Sequence, residues 1–159
     1  MITHNLYLAS IWLHLSAMAV WIGGMVFLAA VALPGLRRGG PAAVGEFLTW
    51  ATPRLRAVGW TCLVVLGMTG WAQLEFRDMA WNANAVIVTK IAVYVAIVAI
   101  SVLHDFWLGP RASIALRDDP GSPATNRLRR LAMSMGRVTA LLALLAVTLG
   151  VFIARGFHW

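Results

Sequence analysis

The sequence predicts an all-α membrane protein: a four-helix transmembrane bundle with its N- and C-termini on the outer side. Three observations carry this prediction. The chain is 60% hydrophobic and only 12% charged, with a strongly positive mean hydropathy, which excludes an ordinary soluble domain. Four apolar stretches are long enough to cross a bilayer as helices, which takes about 20 residues each. Basic residues crowd into two of the three connecting loops, as they do on the inner side of a membrane. A β-barrel is excluded because the apolar runs are continuous and do not alternate. At 159 residues, one domain is expected.

The first span runs from about Leu6 to Leu33 and stops at Pro34-Gly35. No basic region precedes it, and it is too long for a cleaved signal peptide, so it reads as a retained span. In the following loop, Val44 to Leu55 mixes Phe47, Leu48 and Trp50 with polar residues and predicts a short interfacial helix. The second span covers about Ala57 to Leu74. The third covers about Ala85 to Leu108 and closes at Gly109-Pro110. Asp118 to Pro123 forms a solvated turn, and the fourth span covers about Leu131 to Ala154. No repeat divides the chain into two similar halves.

Loop charges orient the bundle. The first loop carries Arg37, Arg38, Arg54 and Arg56 against Glu46. The third carries Arg111, Arg117, Arg127, Arg129 and Arg130 against Asp118 and Asp119. The second has Arg77 with Glu75 and Asp78. Loops one and three are therefore expected in the cytoplasm, in the inner (plasma) membrane of a bacterial-type cell. The net charge of +7 belongs to this pattern and not to nucleic acid, because stacking aromatics and a basic face never coincide. Trp71, Trp81 and Trp159 fall near the outer boundary; Trp50, Trp60 and Trp107 fall near the inner one, as in tryptophan belts. Small residues recur at helical spacing, among them Gly23-Gly24, Gly59, Gly67, Gly70, Ala146 and Gly150. They suit close packing within the bundle or in a homodimer.

Polar side chains inside the apolar spans are the candidate site, because they are expensive there. His14 lies roughly 12 Å below the start of span one, and Lys90 roughly 8 Å below the start of span three. Both spans enter from the outer side, so the two residues are level, as axial ligands of a haem must be. Imidazole is a standard haem ligand; lysine ligates iron only as the neutral amine. Two other assignments stand beside this one. In one, His14 serves a neighbouring helix through a hydrogen bond while Lys90 reaches outward to the surface. Alternatively, His14, Met18 and Met68 form a soft copper site, since thioethers and imidazole suit Cu(I).

The remaining polar residues serve other roles. His104 lies roughly 21 Å deeper than Lys90 and cannot share a ligand set with His14. With Asp105 and Arg111 it reads as an interfacial anchor; a second cofactor there would need Met133, Met135 or a partner subunit. Arg137, near the same boundary, is placed to hold Asp105 or a cofactor carboxylate. His4 and His158 are terminal. Cys62, the single cysteine, reads as a small buried hydrophobe. No nucleophile with an adjacent base, phosphate loop or carboxylate pair appears, so hydrolytic and phosphoryl-transfer chemistry has no support.

Trp12-Leu13-His14 with Val20-Trp21-Ile22-Gly23-Gly24 resembles the first helix of the copper-resistance D (CopD) family of membrane domains. Met68-Thr69-Gly70, His104-Asp105-Phe106, Gly109-Pro110-Arg111 and Gly136-Arg137 extend the resemblance over most of the chain. It implies copper handling. A more distant similarity is to HemJ-type protoporphyrinogen oxidases, in which a helix-one His and a helix-three Lys serve a b-type haem. His14 and Lys90 occupy the matching places. Where that family has an arginine one turn before the lysine, this chain has Val86. Together these features predict a b-type haem protein with His14 and Lys90 on the iron, acting in electron transfer or as a membrane oxidoreductase. Its expected partner is a quinol or a periplasmic redox protein. A copper transport or resistance module is the alternative.

Overall fold

The computed structural model describes residues 2–119 and 121–156. Its elements are α1 (Ile2–Phe27), α2 (Leu33–Leu36), α3 (Gly40–Phe76), α4 (Ala85–Leu103), α5 (Gly109–Asp118) and α6 (Pro123–Ala154). Two π-helical turns, Leu28–Ala32 and His104–Leu108, join α1 to α2 and α4 to α5. No strand occurs among the described residues.

These elements make four helices long and apolar enough to cross a membrane: Thr3–Gly39, Ala43–Phe76, Ala85–Asp118 and Pro123–Ala154. Trp12, Val95 and Leu141 are among the large apolar side chains exposed on the outside of the bundle. Lipid is the solvent that such a surface fits. The chain is a multi-pass membrane protein.

The helices overrun their apolar spans. At 32 to 37 residues each is about 50 Å long, against about 30 Å of hydrocarbon. The excess gathers at the end that carries the arginines of loops one and three. Val44 to Leu55 is not a separate interfacial helix, because α3 runs unbroken for 37 residues with Pro53 inside it. The fourth helix starts at Pro123, where the Ser122 hydroxyl caps the Thr125 N–H at 3.1 Å.

Neither Pro34 nor Pro110 stops its helix. A proline ring collides with the carbonyl four residues back and offers no N–H. Widening the preceding turn removes the collision. Leu33 N–H reaches Leu28 O, and Gly109 N–H reaches His104 O, each five residues back. The proline then sits in the first turn of α2 or α5, where it is tolerated.

This detail exposes a repeat that the sequence conceals. The second π turn follows the first by 76 residues (28 to 104), as Pro110 follows Pro34 and Lys90 follows His14. Ser10 and Ala17 are buried on α1; Val86 and Val93, 76 residues on, are buried on α4. Two hairpins of the same build, α1 to α3 and α4 to α6, therefore run in the same direction. They have the build of parallel repeats, with only scattered identities such as Pro34 and Pro110 at matching positions.

The hairpins join through a core of Leu63, Val86, Val93, Ile97 and Leu149, flanked by Trp21, Trp60 and Tyr94. Tyr94 donates its hydroxyl to Leu63 O at 2.9 Å. Gly67 makes that crossing possible, since a Cβ there would stand 2.5 Å from the tyrosine oxygen. Cys62 is buried, as expected.

Candidate functional site

His14 and Lys90 both point inward. His14 shares its face of α1 with Ser10 and Ala17, both buried, at the one-turn spacing that aligns side chains. Lys90 lies between Val86 and Val93, both buried, on the same face of α4. Each is half-buried. Lys90 does not reach outward past the bundle surface; its Nζ lies 3.0 Å from where a Cβ on Gly150 would stand. His14 Cε1 lies 3.6 Å from the corresponding point on Gly70. Each polar side chain thus rests against a glycine on the partner helix of its own hairpin.

The His14 ring is anchored. Its Nδ1 is 2.8 Å from Thr69 Oγ1, and Thr69 donates its own proton to Val65 O at 2.6 Å. The threonine oxygen is therefore an acceptor, so Nδ1 carries the ring proton and Nε2 keeps its lone pair. That division between the two nitrogens is the one metal-bound histidines use. Thr69 is 8% exposed, which shields the bond from competition.

The structure does not gather the copper set as closely. Met18 is half-buried on α1, but Met68 is 69% exposed and turned away from the bundle. No group of three or more His, Cys, Asp or Glu side chains that could hold a metal occurs among the described residues.

At the arginine-rich end, Asp105 ties two helices together. One oxygen faces His104 Nδ1 at 2.9 Å; the other accepts from Trp60 Nε1 at 3.1 Å. Arg111 is not part of this cluster, because it stacks over Trp107 at 4.0 Å. Arg137 is exposed and makes neither bond to Asp105. It lies 13 residues from Gly150 on α6, roughly 20 Å from the level of His14 and Lys90. Met133 accepts from Arg37 at 4.0 Å. His4 is exposed, and His158 and Trp159 lie outside the described residues.

The sequence marks Gly70 and Gly150 only as packing residues and Thr69 only as part of a motif, and it leaves Gln73 unmarked. A threonine followed by glycine, at the depth of a buried histidine on the neighbouring helix, was the available signal for Thr69.

Fold and site define a multi-pass helical membrane protein with an inward-facing histidine and lysine, one in each hairpin, far from its arginine-rich end. The chain belongs to the family described as Domain of unknown function (DUF4149), whose model matches residues 16–119. That segment contains Thr69, Lys90 and the His104–Asp105 pair and begins two residues after His14. An Aquifex aeolicus (strain VF5) protein described as an uncharacterized protein is 30% identical over 148 residues, covering 92% of this chain and 94% of its own. No solved structure matches the chain.

Proposed function

We propose that this chain is an integral membrane b-type haem protein, with His14 and Lys90 as axial ligands, that carries electrons in the outer half of the membrane. The observation that carries this reading is the anchored imidazole. Thr69 takes Nδ1–H at 2.8 Å, which leaves the Nε2 lone pair for iron. Lys90, on the equivalent position of the second hairpin, supplies a nitrogen at the same level when it is neutral. The donor chemistry fits haem: one imidazole and one amine, each on an inward face in apolar surroundings.

When bound, the haem would supply one-electron redox chemistry. The protein's share is to hold the His14 ring, to bring Lys90 to the same depth against Gly150, and to keep water out. The similarity to HemJ-type proteins supports the cofactor. It does not extend to porphyrinogen oxidation, because Val86 fills the arginine position as a core residue, 3% exposed. The same reading puts the arginine-rich end in the cytoplasm of a bacterial-type cell, the termini outside, and a quinol or periplasmic protein as redox partner. It includes a homodimer, for which Gly23 and Gly24 offer an exposed face with nothing within 4 Å. The copper module has weaker support, since Met68 faces outward.

Visible spectra of the purified protein, oxidised and dithionite-reduced, test the proposal. A Soret band with stoichiometric iron is expected. His14→Ala should abolish it, and Lys90→Ala should convert a six-coordinate spectrum to a five-coordinate one. A colourless protein, or one carrying copper in place of iron, overturns the reading.

A further inference from the structure

We infer that Gln73 is the hydrogen-bond donor for a carboxylate of the group that His14 holds, and so fixes which way round that group sits. This rests on the haem reading above. The helices α1 and α3 run antiparallel, and two contacts fix how they pair. His14 meets Thr69 at 2.8 Å, and the Tyr7 and Phe76 rings lie 6.0 Å apart, edge to face. Between those levels stand Ser10 on α1 and Gln73 on α3. Each is four residues, one turn, from His14 or Thr69 and on the same face.

The two polar groups at this level are differently placed. Ser10 is 7% exposed and gives its proton to Tyr7 O at 2.7 Å, so it needs nothing further. Gln73 Nε2 is fully buried and has no acceptor among the described residues. A buried amide nitrogen without an acceptor is destabilising. A bound group that brings an acceptor oxygen would relieve it.

Chemistry and position together name the acceptor. The amide offers two N–H donors and no charge, and it lies one turn from the ligand nitrogen toward the membrane surface. A haem has a polar edge of two carboxylates, which avoid hydrocarbon and turn toward that surface. A carboxylate held by an amide hydrogen bond, one turn above the iron ligand, satisfies Gln73. Arg137, the sequence-based candidate for this role, lies at the opposite end of the bundle.

The test compares haem with iron etioporphyrin, which lacks carboxylates, in the full-length protein. Gln73→Met replaces the amide with an apolar side chain of similar length. The apoprotein should melt at a higher temperature, while haem affinity falls about tenfold and etioporphyrin affinity stays unchanged. Gln73→Glu, nearly isosteric, opposes the carboxylate and should weaken haem binding further, again sparing etioporphyrin. It decides the matter if Gln73→Met fails to accumulate. Ser10→Ala, at the same level, should leave both affinities alone. Haem bound equally by wild type and Gln73 variants overturns the role of Gln73, as does equal loss of both porphyrins. A wild-type protein that binds neither porphyrin overturns the haem reading itself.

Discussion

At the scale of single residues, the site depends on side chains that hold other side chains. Thr69→Val keeps the shape and removes the oxygen that accepts from His14 Nδ1. In the haem reading it should lower iron-porphyrin affinity about 10- to 100-fold, while Thr69→Ser restores it; titration of apoprotein with haem measures both. Gly150→Leu places bulk where the Lys90 Nζ now lies, since even a Cβ there comes within 3.0 Å. Its spectrum should resemble that of Lys90→Ala, with the His14 bond kept. His14 and Lys90 were legible in the sequence because each is a polar break in an apolar run. Thr69 was not, since a threonine in a membrane helix commonly bonds its own carbonyl four residues back, as Thr69 does to Val65. Its second bond, to His14, is tertiary and leaves no local mark.

At the scale of elements, the spans were legible and their ends were not. Pro34 and Pro110 are strong stop signals by local rules. The π turns that carry the helices past them have no common residue before the proline, Leu33 in one and Gly109 in the other. At the second turn the fit is tight: a Cβ on Gly109 would stand 2.9 Å from His104 O. Gly109→Ala should destabilise the protein by about 1–3 kcal/mol, read as a lowered melting temperature in detergent. Gly35 beside Pro34 has nothing within 4 Å, so Gly35→Ala should be neutral or stabilising by about 0.5–1 kcal/mol. If both alanines behave alike, the crowding at His104 is not what distinguishes them.

At the scale of the whole molecule, composition and loop charge gave the four-helix membrane bundle directly, because the bilayer imposes length and polarity on every span. The pairing of two like hairpins was hidden, since it resides in buried positions and backbone turns and in only a few scattered shared residues. Loop charge alone predicts the orientation, which labelling tests. In a Cys62→Ala background, Asn82→Cys, on an exposed turn, should react with an impermeant thiol reagent in intact spheroplasts. Ala124→Cys, exposed at the arginine-rich end, should react only after permeabilisation. The reverse pattern would invert the topology and put the His14–Lys90 level on the cytoplasmic side.

The two π turns also divide each of their helices into segments that keep different time. A π turn holds one residue more than an α turn, so everything beyond it is rotated by about 100°. A helical wheel drawn through Leu28–Ala32 or His104–Leu108 is therefore false on one side of the turn. In a residue-by-residue labelling scan, reactive positions along α1 should follow one rhythm as far as Leu28, lose a beat, and resume out of step toward Arg37. The same slip should recur 76 residues later, between His104 and Leu108, so that lipid-facing stripes above and below each proline do not line up.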